Sequence, residues 1–215
     1  MIVVQQLNEL SGNAFTYGNL ILLYCKFDMD NLFRSDDNGV VDSDRKLSYD
    51  SLPDFVKARV TLCVDTFNLI MKSKPDKFYT TVILITDPIF NNIIRDHLII
   101  EGISGQYIEQ DNTSKTIESV INNVVNRVRS LANPPAIYFV GSVWQKEVFD
   151  SIVNSKLKNK FKIFFEGALD HRSYELIEKD KFIEEPKKSS TYYKHKLTNK
   201  AIDTLLNYIF SNKRK

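Results

Sequence analysis

Glycine and proline are scarce, at 7 and 6 in 215 residues. That scarcity excludes collagen-like, linker-dominated and low-complexity classes. Cysteine is scarcer still: Cys25 and Cys63 lie far apart on apolar segments. They read as two buried free thiols rather than a disulfide or a metal pair, which favours a reducing compartment. His97, His171 and His195 have no partner at the spacing of a zinc pair, so no metal is expected. No apolar run approaches the roughly 18 residues needed to span a bilayer. The opening Met1-Ile2-Val3-Val4-Gln5-Gln6 has neither the basic nor the sustained apolar region of an export signal. A cytoplasmic location without a membrane span is therefore expected. Phosphate-binding glycine motifs, G-x-G-x-x-G and G-x-x-x-x-G-K-[ST], are also missing. No cofactor and no oligomeric state is specified.

What is present is an alternation. Leu20–Tyr24 is a short continuous apolar run, the mark of a strand buried on both faces. Thr81–Ile85, Ala136–Val140 and Phe161–Phe165 repeat it, and Gln106–Glu109 adds a shorter candidate. Between them run helical periods. Val56, Val60, Cys63, Phe67 and Ile70 form one stripe; Ile117, Val120, Ile121, Val124, Val128 and Leu131 form the clearest. Residues 89–100 and 144–153 supply two more, and a closing helix begins near Thr198. Strands separated by helices require right-handed crossovers and parallel pairing. The expected fold is α/β: a three-layer αβα sandwich around a mainly parallel sheet of four or five strands, Rossmann-like in layout. Residues 1–19 form an N-terminal segment and 20–181 the α/β domain. Residues 182–215 are a connection and a C-terminal helix packed on the same domain.

Charge is uneven. Residues 1–153 hold 14 Lys and Arg against 19 Asp and Glu, net −5; residues 154–215 hold 15 against 8, net +7. The basic residues are interspersed with acids such as Glu178, Asp180, Glu184 and Glu185. A solvated surface is the simpler reading, and nucleic acid is not an expected partner. The stretch 26–54 after the first strand is polar and acidic, a lid or a mobile insertion at the ligand side of an α/β sheet. It fails as an EF-hand: Phe33 stands at the glycine position and Gly39 at the glutamate position.

The strand ends carry the candidate site. Thr86 and Asp87, before Pro88, either cap the next helix or line the crevice. Ser142 follows a buried strand but lacks the second glycine of a nucleophile elbow, so it caps a helix or donates to a ligand. Asp111, Thr113, Thr116 and Glu118 crowd the start of the best helix, where Thr113 or Ser114 would serve as cap. The remaining polar groups there suit an anionic or polyhydroxyl ligand.

This order of elements, over roughly Leu20 to Phe165, resembles the YdcF/SanA/ElyC-like family. Arg59 in Lys57-Ala58-Arg59 looks like the family arginine of the first helix, and Leu98–Ile103 like its glycine-ended helix. Asp111-Asn112-Thr113-Ser114-Lys115-Thr116-Ile117-Glu118 looks like its E-D-x-S-x-N-T-x-E-N segment. The family's Ser-Gly-Gly is here Thr86-Asp87-Pro88, and its helix glutamate is Phe90. Its motif Glu and Asn are Gln110 and Lys115. Of its Ser-x-x-His-x-x-Arg only Ser142 is kept, with Gln145 and Val148 in the other places. The resemblance implies a small-molecule ligand, polar or anionic and nucleotide-like or sugar-like, at the strand carboxyl ends. Arg59 would hold an anionic group, and Thr86, Asp87, Asp111, Thr113, Thr116, Glu118 and Ser142 would complete the contacts. Two alternatives stand beside it: a transferase or hydrolase using Asp111 or Glu118 as general base, and an interaction module using the basic C-terminal region.

Overall fold

The computed structural model describes residues 18–27, 47–73, 80–157 and 161–184. Among these residues five strands make one parallel sheet: β1 (Asn19–Tyr24), β2 (Thr80–Ile85), β3 (Ile108–Gln110), β4 (Ala136–Ser142) and β5 (Ile163–Ala168), in the order β3-β2-β1-β4-β5. The helices between them are α1 (Asp54–Ser73), α2 (Pro88–Ile100), α3 (Ile117–Val128) and α4 (Lys146–Lys156). The chain forms two compact units, Met1–His171 and Arg172–Lys215. Among the described residues, α5 (Tyr174–Glu184) is the helix of the second unit.

The apolar runs follow from burial on both faces of the sheet. Ile21 and Leu23 of β1, with Val82 and Leu84 of β2, pack against Val56, Val60, Cys63 and Phe67 of α1 and Ile94 and Leu98 of α2. The alternate residues Leu20, Leu22, Tyr24, Ile83 and Ile85 pack on the other face. Their partners are Val120, Ile121 and Val124 of α3 and Val148 and Phe149 of α4. A strand with a helix layer on each face has no polar side to show, so its alternation disappears. The result is a three-layer α/β sandwich.

Helix α2 ends as its glycine implies. Gly102 takes φ +93°, the Ile103 amide donates to Leu98 O (3.0 Å), and the Gly102 amide donates to Ile99 O (3.0 Å). This is a Schellman closure, and Ile103 is buried beneath it.

Several boundaries differ from the sequence reading. β5 starts at Ile163 rather than Phe161, because β4 sets its register, from Ile137↔Ile163 to Ser142↔Ala168. That register carries Glu166 and Gly167 into an edge strand. Helix α4 starts at Lys146, after a 3-10 turn at Val143–Gln145, so Trp144 lies before it. Helix α5 has no counterpart among the expected elements, and the connection expected from Phe182 begins inside it. Its charged sequence has little apolar period; it buries Asp180 instead, 2.7 Å from Arg172. The helix expected near Thr198 and most of the acidic stretch (28–46) lie outside the described residues. Among the described residues, no helix is long and apolar enough to cross a membrane.

Candidate functional site

β1 is flanked by β2, whose connection covers one face, and by β4, approached from the other. The carboxyl ends of β1 and β4 are therefore the topological switch point, where open α/β sheets bind ligands. Pairing of these two strands stops at Leu23↔Val140. Beyond it the Cys25 amide still turns to β2, donating to Ile85 O at 2.8 Å. The carbonyls on either side of Cys25 are taken by Arg59.

Arg59 lies on the buried face of α1 and is fully enclosed. Its Nη1 donates to Tyr24 O (3.2 Å) and Lys26 O (3.3 Å), and its Nε donates to Ser142 Oγ on β4 (2.9 Å). Its Nη2 stands 3.8 Å from Asp170 Oδ2, and the guanidinium lies over the Phe55 ring. Ser142 in turn donates to Asp170 Oδ2 (2.9 Å), and Trp144 Nε1 donates to the same oxygen (3.1 Å). The Asp170 side chain is only 2% exposed. Arg59 thus bridges the gap between diverging strands, and Asp170 balances its charge through Ser142.

The turn after β4 is shaped around this lock. Gln145 folds back so that its Oε1 accepts from the Ser142 amide (2.8 Å), within a capping box. A Cβ on Gly141 would sit 2.4 Å from that Oε1 and 2.9 Å from the Phe139 ring, so a larger residue would push Gln145 away from the Ser142 amide. Gln145 Nε2 is buried and has no hydrogen-bond partner. With its proton directed at Asp170 and a lone pair held by Arg59, Ser142 is poorly placed to attack anything.

The β2 end is built differently. Asp87 occupies the N-cap of α2 with Pro88 next, yet its side chain makes no cap hydrogen bond. Its carboxylate lies 3.9 Å from Lys26 Nζ instead. Thr86 is fully buried, with Oγ1 unpartnered. Asn91, on α2, donates from Nδ2 to Asn112 Oδ1 (2.6 Å), while its buried Oδ1 has no partner.

After β3, Asp111 closes a turn on itself. Its Oδ1 accepts from the Thr113 amide (2.8 Å), Thr113 Oγ1 (2.7 Å) and the Ser114 amide (3.0 Å). Its Oδ2 accepts from Ser114 Oγ. Partial burial pushes the Asp111 carboxyl up, but the hydroxyls of Ser114 and Thr113 and their amides outweigh it and hold it below its ordinary value. The cap of α3 is Thr116, not Thr113 or Ser114. Its Oγ1 accepts from the Ser119 amide (3.2 Å), and Ser119 Oγ reciprocates to the Thr116 amide (3.0 Å). Asp111 already holds the two earlier hydroxyls, which is why neither is left to cap. Glu118 is exposed in the first turn of α3.

We expect Asp111→Ala to cost about 1–2 kcal/mol, read as a lower urea midpoint. The folded carboxyl is more acidic than its ordinary value of 3.8. Its contribution is therefore complete above that value and lost as pH falls through the lower folded one. The gap between wild type and variant should accordingly narrow below about pH 4. A constant gap down to pH ~2 would contradict the turn's role.

Cys25 and Cys63 are both buried and free. Burial pushes the Cys25 thiol up to about 12, opposed in part by Arg59, and burial raises Cys63 as well. A disulfide reagent at about pH 8 should label neither thiol in the native protein and both in denaturant. Rapid native labelling would place a thiol at the surface. No group of three His, Cys, Asp or Glu gathers as a metal site among the described residues.

Of the residues singled out in the sequence, Arg59 and Ser142 meet directly. Thr86 and Asp87 stand together at β2, and Asp111 and Thr113 share the β3 turn. Thr116 and Glu118 sit at the start of α3, next to Lys115, whose carbonyl accepts from Tyr24 Oη (3.4 Å). Asp170, Lys26, Asn91 and Trp144 were missed. A positional signal existed: Lys26, Asp87, Asn112 and Asp170 each stand two residues past a strand end. No protein-family model matches this chain, and neither a curated protein nor a solved structure does.

Proposed function

We propose that the protein is a YdcF/SanA/ElyC-like, cytoplasmic protein that binds a small polar ligand at the carboxyl ends of its strands. One observation carries the reading. Among the described residues, three buried side-chain atoms without hydrogen-bond partners, Thr86 Oγ1, Asn91 Oδ1 and Gln145 Nε2, lie at the carboxyl edge, against Thr80 Oγ1 at the amino end of β2. Buried polar atoms are satisfied in the great majority of cases, so such a grouping marks a place where other molecules enter the hydrogen-bond network. The segment 111–118 and the element order support the family assignment. The general-base alternative is weaker, since a carboxylate sealed by four donors and made more acidic is a poor base near neutral pH.

A melting-temperature screen with sugars, nucleosides, nucleotides and S-adenosylmethionine tests the proposal. A ligand at a hundred times its dissociation constant adds about 2.7 kcal/mol. For a chain of this size that corresponds to a rise of about 5–10 °C. The expected result is a rise with at least one member, lost in Thr86→Val or Asn91→Leu variants that still fold. A flat response to the whole panel overturns it.

A further inference from the structure

A sheet edge with open hydrogen-bonding groups is a template for another strand unless the chain blunts it. The two edges of this sheet differ in that respect. β3, at one edge, is three residues long and carries Glu109, which lies 2.7 Å from Arg127 of α3. β5, at the other, runs for six residues, Ile163–Ala168, with neither proline nor lysine, and Glu166 is its one charge. No strand lies beyond it among the described residues.

The ladder with β4 decides which backbone groups of β5 are left over. Lys162 O accepts from the Ile137 amide at 2.8 Å, and Ile137 faces Ile163 in the register. Parallel pairing therefore turns the backbone of Lys162, Phe164 and Glu166 toward β4. The residues between them, Ile163, Phe165 and Gly167, present their amides and carbonyls outward.

Side chains alternate in the same way. Ile163 and Phe165 pack with the half of the core that holds α3 and α4. Phe164 lies on the opposite face, its ring 5.1 Å from that of Tyr138, yet it is 45% exposed. Lys162 and Glu166 flank it on that face, and neither has an ion-pair partner among the described residues.

The order Lys162, Phe164, Glu166 is self-complementary against an antiparallel copy of the same strand. A two-fold axis through Phe164 places Lys162 of each copy opposite Glu166 of the other and brings the two Phe164 rings together. The same axis sets Ile163 opposite Phe165, two residues with outward amides and carbonyls, so that each pair exchanges both hydrogen bonds. A slip of two residues keeps the backbone bonds but parts Lys162 from Glu166. Backbone and side chains select one register.

We infer that β5 is a dimerisation edge, at which two copies of this chain pair antiparallel about Phe164 and continue the sheet from one subunit into the other. The contact is isologous, as a two-fold dimer requires. Each copy contributes little more than one strand and the Tyr138–Phe164 pair, so the dimer is reversible and its fraction rises with concentration.

Sedimentation equilibrium of the full chain over a range of concentrations tests the inference. The wild type should pass from monomer to dimer as concentration rises. Lys162→Glu sets like charges opposite one another on both sides of the axis, and Glu166→Lys does the same. Each should weaken the dimer about tenfold or more. Lys162→Glu combined with Glu166→Lys restores the complementarity and should return the affinity to within about threefold of wild type. Phe164→Cys should cross-link the copies through a disulfide when diamide is added, because facing residues of such a pair have Cα atoms about 4.5 Å apart. Glu166→Cys faces Lys162 rather than its own copy and should stay uncross-linked. Cys25 and Cys63 are buried and do not compete. A chain that remains monomeric up to about 1 mM overturns the inference. So does a dimer that ignores the single exchanges, that the double exchange fails to restore, or that cross-links through Glu166→Cys rather than Phe164→Cys.

Discussion

Replacing Arg59 by Met should cost about 3–5 kcal/mol, the loss typical of breaking a buried ion pair from one side. The guanidinium is fully buried and supplies donors to Tyr24 O, Lys26 O and Ser142 Oγ. Methionine fills most of the volume but donates nothing. Two carbonyls at the parting of β1 and β4 then lose this donor, and Asp170, at 2% exposure, loses the guanidinium that faces it. Against a total stability of about 5–15 kcal/mol, that is a large fraction. Lysine at this position keeps the charge but loses the planar fork, so it should rescue only part of the deficit. Urea denaturation measures both variants. A loss under about 1 kcal/mol for Arg59→Met would show that water takes over the carbonyls and that no lock exists.

Asp170→Ala attacks the same lock from the other end and should be comparably severe, at about 3–5 kcal/mol. It removes the carboxylate that faces the enclosed guanidinium and the acceptor used by Ser142 Oγ and Trp144 Nε1. Asp170→Asn keeps one acceptor and loses the charge, so its cost should be smaller. Trp144 is the chain's single tryptophan, and its indole N–H donates to Asp170. Native-state fluorescence therefore reads this contact directly, and Asp170→Ala should shift emission before any unfolding begins. Arg59→Met combined with Asp170→Ala removes both charges. Its total loss should fall short of the sum of the single losses by about 1–3 kcal/mol. Strict additivity would mean that the two side chains do not act as a pair.

The sheet was legible because both-face burial writes long apolar runs, as in Leu20–Tyr24 and Thr81–Ile85. Parallel pairing followed from the intervening helices. β5 was placed about two residues early because Phe161 continues the apolar run, while Glu166 and Gly167 belong to the strand only through the ladder with β4. That error hid Asp170: counted from Phe165 it sits deep in a loop, but counted from Ala168 it stands at the strand end beside the site. Helix α5 escaped because its order comes from an Arg172–Asp180 pair rather than an apolar stripe. The polar cluster after β3 was found at the right place, yet its internal division was not. Hydroxyls within a span of four residues compete for one carboxylate and one helix start, and only geometry shows that Asp111 takes Thr113 and Ser114 while Thr116 caps. Arg59 and Ser142 were picked out as ligand contacts. Their mutual hydrogen bond joins residues 83 apart in sequence, which no local pattern records.

The most direct test of ligand binding at the carboxyl edge is an amide chemical-shift titration of the isotope-labelled protein with N-acetylglucosamine. The account predicts saturable shifts grouped at Thr86 to Asn91 and at Asn112 to Thr116, with smaller ones at Ser142 to Gln145. The amino ends of the strands, around Asn19, Thr80 and Ala136, should stay unmoved. Shifts centred on those amino ends, or no saturable shift anywhere, would contradict it.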